Sequence, residues 1–345
     1  MTNYVLKRFQ RAWHGEPMLL TVGGSELLFG EGEPQATVTI KRPSLIPRLL
    51  VSPSLTFGEA YMRGQITVEG DLMVPLKGWH ASDGVSPPKL LQLVASFMAK
   101  LPDSASKAAA NAQHHYDIGN EFYKLWLDRS LTYSCAYFKT AEDTIDQAQD
   151  QKRDLILNKL QIKPGQTLLD IGCGWGALML QAAEQYGATV TGITPAKEQA
   201  AHVLAEAKRR GIADKVTVLN DDWRSLSGEY DRVVSVGMFE HVGYSQYDQF
   251  LRRWHSLLKE GGVSLLHTIG SLHGGTDAFL DKYVFPGHYL PSLANLHESA
   301  EQAGLFVIDQ EDLWQHYALT LDRWYTTFRE KETEVRQTFD EQFIR

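Results

Sequence analysis

Residues 168–176 read LLDIGCGWG, an apolar run that ends in Gly172, Gly174 and Gly176 and leads into the helix-forming ALMLQAAEQYG. Glycines at that spacing let the chain turn tightly and bring backbone N–H groups close to a ligand at a helix N-terminus. This is binding chemistry that dinucleotide enzymes also use. Asp170, two residues before the first glycine, adds a carboxylate that can face an ammonium group, and no further pair of glycines is placed to cradle a pyrophosphate. After the next apolar run, where nucleotide-binding sheets commonly carry an acidic residue for the ribose hydroxyls, the chain has Gly192-Ile193-Thr194. Thr194 and Gln199 are neutral hydrogen-bonding groups able to do the same work. Further on, Asp222 offers a carboxylate to an adenine amino group and Trp223 a ring to stack on it. Trp223 as core and Asp222 as a helix cap is the competing reading.

The full Asp-x-Gly-x-Gly-x-Gly form resembles the motif of class I methyltransferases. The end of the fourth apolar run reads Val236-Gly237-Met238-Phe239-Glu240-His241. It lacks the Asn/Asp-Pro-Pro-aromatic pattern of enzymes that methylate base amino groups. The formal charge of −8 argues the same way, because binding to a phosphate backbone needs clustered Lys and Arg. No nucleic-acid partner is expected.

The elements that must position these groups follow from periodicity. After Lys163-Pro164-Gly165, apolar runs alternate with helical stretches, the rhythm of a parallel sheet covered by helices. Strands are expected at 167–171, 189–193, 216–219, 232–236 and 263–268, with helices at 178–186, 195–210 and 246–258. Residues 26–69 are rich in Gly, Pro and short β-like pieces such as 36–40 and 65–68, which reads as a small α+β domain. Residues 89–100 (KLLQLVASFMAK) could lie on a membrane surface or pack as an ordinary helix. Residues 102–111 are small and polar, a linker. The expected division is therefore an N-terminal α+β domain at 1–100, a linker at 101–112 and a Rossmann-like α/β domain at 113–345.

The 345 residues, 43% hydrophobic and 22% charged, exceed what one compact core usually needs. No apolar run reaches the roughly 18 to 20 residues of a membrane span, and residues 1–10 carry charges where a signal peptide has its apolar stretch. A cytoplasmic location is expected. Cys135 and Cys173 stand in no CxxC or His-paired spacing, so neither a metal nor a disulfide framework is indicated. Residues 1–100 carry +2 against −10 for the remainder, which makes the N-terminal part the less repelled face at an anionic bilayer; an uneven solvated surface explains it as well.

Taken together, His115-Tyr116-Asp117-Ile118-Gly119-Asn120, Tyr133-Ser134-Cys135-Ala136-Tyr137-Phe138, LLDIGCGWG, Phe239-Glu240-His241-Val242-Gly243, His267-Thr268-Ile269-Gly270, KYVFPG from Lys282 and LPS from Leu290 resemble cyclopropane-fatty-acyl-phospholipid synthases in order and spacing over nearly the whole chain. Phe57-Gly58-Glu59-Ala60-Tyr61-Met62 with Val68-Glu69-Gly70-Asp71 is similar to the extra, lipid-binding-like domain of the phospholipid-acting members. The resemblance implies a class I methyltransferase sheet with helical cover and S-adenosylmethionine as cofactor, bound by Tyr133, Ser134, Asp170, Gly172, Gly174, Gly176, Thr194, Gln199, Asp222 and Trp223. It also implies a bicarbonate ion as base, held by Cys135, Glu240, His267, Tyr317 and the N–H of Ile269. An isolated alkene is a poor nucleophile, so its attack on a sulfonium methyl creates a carbocation, and a base must remove a proton as the ring closes. Tyr116, Tyr137 and Phe138 are expected to face that cation. The implied partners are the cis double bond of an unsaturated acyl chain and a membrane surface approached peripherally from its inner face, with a homodimer as a further expectation. The family usually continues past an aromatic helix resembling residues 321–329, and the acyl tunnel is expected to be incomplete where this chain stops at Arg345. Two alternatives accompany this reading: methylation of the same alkene to a branched chain, and a lipid-binding protein without catalysis.

Overall fold

A computed structural model describes residues 2–82 and 119–345. The expected linker, the 89–100 segment and Tyr116 lie outside the described residues. Contacts divide the described chain into two compact units, one of residues 2–82, 277–280 and 334–345 and the other of residues 119–276 and 281–333.

The first unit is built on four strands, β1 (Met18–Val22), β2 (Ser25–Phe29), β3 (Ala36–Ile40) and β4 (Ile66–Gly70), in the order β2-β1-β3-β4. β1 and β3 run parallel, and the other two pairings are antiparallel. In β1 and β3 every second residue is buried, so Met18, Leu20, Val22, Ala36, Val38 and Ile40 make one apolar face. Helices α1 (Thr2–Arg11), α2 (Ile46–Val51), α3 (Pro53–Met62) and α4 (Met73–Ala81) complete the unit. Two distant pieces of chain return to it, a finding the sequential division at 101–112 does not anticipate. The Ser54 hydroxyl donates to Asp277 at 2.8 Å, and a Cβ on Gly58 would stand 2.3 Å from the Phe279 ring, so only glycine admits that contact.

The second unit carries a parallel sheet in the order β7-β6-β5-β8-β9, formed by β5 (Thr167–Ile171), β6 (Thr189–Ile193), β7 (Val216–Leu219), β8 (Tyr230–Val236) and β9 (Leu258–His267). β5 is central and almost wholly buried, as a strand covered on both faces must be. Cover comes from α5 (Asn120–Trp126), α6 (Ile145–Lys159), α7 (Ala177–Gln185), α8 (Lys197–Arg209), α9 (Tyr247–Ser256), α10 (Leu293–Gln302) and α11 (Trp314–Glu330). The start of α6 is fixed by a capping box: the Thr144 hydroxyl accepts from the Gln147 amide at 3.2 Å, and the Gln147 side chain accepts from the Thr144 amide at 2.9 Å. That anchor sets which face of α6 turns inward, and Gln149, Lys152 and Arg153 are on it.

Candidate active site

Most candidate groups of the second unit gather beyond the carboxyl ends of β5, β6, β7, β8 and β9, where open α/β sheets bind ligands. They surround three lobes that share Gly237 in their lining. Gly237 has φ +64, and a Cβ on it would come within 3.3 Å of the Ser134 Cβ, so the junction is narrow and needs a residue without a side chain.

One lobe holds Tyr133, Ser134, Lys152, Asp170, Gly172 and Gly174. The glycine turn is held to β6 because the amides of Gly172 and Cys173 both donate to the Ile193 carbonyl, at 3.0 and 3.1 Å. Gly172, Gly174 and Gly176 all have positive φ. Gly172 would clash with Met238 if it carried a Cβ, whereas Gly174 has nothing within 4 Å and opens onto the cavity. Gly176 lines none of the three lobes; it caps α7, and a Cβ there would stand 2.7 Å from Val203. Its role is close helix packing. Burial pushes Asp170 up to about 7, against the opposing pull of the Lys152 charge.

A second lobe holds Thr194, Gln199, Asp222, Trp223 and Met238. The Thr194 hydroxyl donates to Gln199 Oε1 at 2.7 Å, which aims the amide and leaves Gln199 Nε2 buried without a recorded acceptor. Asp222 caps a short turn through the Arg224 amide at 3.0 Å and also accepts from Arg224 Nη1 at 2.7 Å. Trp223 packs edge-on against Phe250 with Arg224 over its ring. Both residues line the lobe as well, so the capping and core roles coexist with access to a ligand.

The third lobe brings together Cys135, Glu240, His267, Ile269 and Tyr317, five residues drawn from a loop, a turn, the end of β9 and α11. The Ile269 N–H, expected to hold the ion, instead donates to Glu240 Oε1 at 2.6 Å and so orients the carboxylate. Glu240 Oε2 and His267 Nδ1 are buried with no recorded partner. Burial raises Glu240, lowers His267 to about 3 with help from the Lys152 charge, raises Tyr317 to about 12 and raises Cys135 to about 11. The imidazole is therefore neutral, and the phenol and thiol keep their protons near neutral pH. Neutral donors beside a carboxylate with an open oxygen can hold a small protonated oxyanion.

The aromatic wall of this lobe differs from expectation. Tyr137 stacks on His316 with ring centroids 4.5 Å apart, and Phe138 is buried in a separate cluster with Ala136 and Ala148. Tyr133, Phe285, Tyr317 and Trp324 line the lobe instead. In YSCAYF the exposed or buried side of each aromatic is set by a loop with no regular period, so spacing could not assign it. Lys152 was equally hidden, as one charge in the polar-looking stretch AQDQKRDLILNK.

A family model described as mycolic acid cyclopropane synthetase matches residues 103–345, and one described as a domain of unknown function matches residues 21–77. The cyclopropane-fatty-acyl-phospholipid synthase of Escherichia coli strain K12 is 37% identical over 320 residues, covering 91% of this chain and 82% of that protein. A probable fatty acid methyltransferase of Pseudomonas putida is 38% identical over 307 residues, covering 84% of this chain and 75% of the other. Among solved structures, a mycolic acid cyclopropane synthase complexed with SAH and CTAB superposes with a TM-score of 0.64 at 38% identity, covering 68% of this chain and 88% of that one. A family match over most of the second unit, with relatives aligned through both units, shows that the chain belongs to the mycolic acid cyclopropane synthetase family and is an enzyme of the S-adenosylmethionine-dependent methyltransferase class.

Proposed function

We propose that this enzyme adds a methylene unit from S-adenosylmethionine to the cis double bond of an unsaturated phospholipid acyl chain, forming a cyclopropane ring through a carbocation with bicarbonate as base. The observation that carries this reading is the pair of unpartnered buried atoms, Glu240 Oε2 and His267 Nδ1, in one lobe with Tyr317 and Cys135. Buried polar atoms without partners are costly, and a bound ion is one way to satisfy them. The donor set fits bicarbonate: Tyr317 and Cys135 carry protons, His267 is neutral, and Glu240 can accept from the ion's hydroxyl. Bicarbonate, when bound, supplies the base for the proton that leaves the added methyl. Glu240 would orient it, itself held by the Ile269 amide, and Tyr133, Phe285 and Trp324 would keep water from the cation and offer it their ring faces. A carboxylate aimed directly at the cation could trap it as an ester, which makes Glu240 a better holder than base.

The S-adenosylmethionine reading assigns the adenosine to the Thr194, Gln199 and Trp223 lobe and the methionyl end to the Asp170 and Gly174 lobe, with the reacting methyl at the Gly237 junction. The relative in Escherichia coli is named for a phospholipid substrate, and no helix among the described residues is long and apolar enough to cross a membrane, so the reading places the substrate encounter peripherally, at the inner face of the membrane.

Lipids from cells expressing the chain test it. A gain in mass of one CH2 group per modified acyl chain is expected, with ring protons in the NMR spectrum; a gain of CH2 plus two hydrogens would mean a saturated methyl branch and reject ring formation. Glu240→Ala should lower kcat by a factor on the order of 10² to 10⁴ with cofactor affinity nearly unchanged. Full activity of wild type in carbonate-free buffer would exclude bicarbonate as the base.

A further inference from the structure

Lys152 lines the first lobe, and the proposed chemistry leaves its burial unexplained. It lies on the inner face of α6 with 2% of its surface exposed. Its ammonium donates to the Ser134 hydroxyl at 2.8 Å, a neutral partner, and no carboxylate among the described residues stands within 4.0 Å of it. The neighbouring Arg153 is paired with Asp150 and bonded to Gln181, so the same helix shows what a satisfied buried cation looks like. Burying an ammonium with no carboxylate in contact costs several kcal/mol, which the more distant charges of Asp128 and Asp170 offset only in part. Consistent with that cost, burial and the nearby Arg153 charge lower Lys152 to about 8.

The same lobe is lined by Asp170, an acid with 3% of its surface exposed. The lobe thus presents to a shared space a buried ammonium with no carboxylate in contact and a buried acid, with Gly174 also in its lining; Arg153 lines it too but is paired with Asp150. A zwitterionic amino-acid group is complementary to that arrangement. We propose that Lys152 binds the carboxylate of the methionyl end of S-adenosylmethionine, directly or with the Ser134 hydroxyl between them, while Asp170 takes the ammonium group. The assignment rests on the cofactor reading above and extends it with a residue outside the glycine motif. Ser134 lines the reaction lobe as well, so the carboxylate contact fixes how far the methyl group reaches toward Glu240 and His267.

Calorimetry on the full chain separates the possibilities. Wild type should bind S-adenosylmethionine about 10- to 100-fold more tightly than its decarboxylated counterpart, the range expected for a hydrogen bond between charged groups. Lys152→Met should lose that preference, and its affinity for S-adenosylhomocysteine should fall by a similar factor. Methylthioadenosine, which lacks the whole amino-acid end, should bind wild type and variant alike, because a correctly folded variant keeps the other lobe. Equal affinity of wild type for the carboxylated and decarboxylated compounds would overturn the assignment, and so would a Lys152→Met variant with the full preference. If the variant binds no methylthioadenosine, it is misfolded and the wild-type comparison decides. Failure of wild type to bind any of these compounds would remove the cofactor reading itself, an outcome distinct from a missing carboxylate preference.

Discussion

His267 shows how the site trades against stability at the level of one residue. Burial, reinforced by the Lys152 charge, lowers its imidazole from 6.5 to about 3, so the folded protein holds the ring neutral while the unfolded chain takes up a proton below about 6.5. The stability this contributes is complete above about 6.5 and is lost as pH falls toward 3, amounting to roughly 2 kcal/mol of acid destabilisation at pH 5. His267→Asn should therefore lose less stability than wild type between pH 7 and pH 5, by about that amount, in urea unfolding midpoints. An equal loss in the two proteins would mean that the ring is not held neutral by burial. The neutral ring is also what the proposed chemistry needs, because a cationic imidazole would repel a developing carbocation in the same lobe. Stability near neutral pH and competence in the site thus impose the same protonation state.

At the level of elements, the glycine turn and the α6 helix divide the work of shaping the first lobe. A side chain on Gly174 would extend into open space, so Gly174→Val should strain a positive-φ position by about 1–2 kcal/mol and occupy the lobe without a clash in the core. The expected result is a folded protein, by circular dichroism, that no longer binds S-adenosylhomocysteine; unchanged affinity would place the cofactor elsewhere. The strands around this turn were legible. The expected 167–171, 189–193 and 216–219 coincide with β5, β6 and β7, because short apolar runs between glycine-bounded helices leave few alternatives. β1 was not anticipated: Met18–Val22 lies in the expected 1–100 domain but before the Gly- and Pro-rich stretch 26–69, and its alternation covers only five residues. Gly172 and Gly174 were readable from a local motif. Gly237, Phe285 and Trp324 reach the cavity through tertiary packing alone, and Lys152 faces inward because Thr144 and Gln147 fix the start of α6.

On the scale of the whole molecule, every residue proposed to bind cofactor or ion belongs to the second unit, while the first unit is not a simple N-terminal segment. Residues 277–280 and 334–345 belong with it, through Ser54 to Asp277, Phe279 over Gly58 and the Glu341–Ile344 helix against α3. The proposed function leaves the first unit the role of contact with the lipid surface or with a second copy, which we propose for it. Deleting residues 1–100 should leave S-adenosylhomocysteine affinity within about threefold of wild type and reduce turnover on phospholipid vesicles by tenfold or more, since the chemistry would be intact and the encounter with substrate impaired. The same deletion removes Gly58 from under Phe279 and α3 from the Glu341–Ile344 helix and should make the shortened chain prone to aggregate, through newly exposed apolar surface. Removing residues 334–345 as well, with Phe279→Ser, should restore solubility without restoring turnover on vesicles. Loss of cofactor affinity in that soluble, shortened protein would show that the first unit supports the site directly, and full turnover on vesicles would show that it has no part in reaching the lipid.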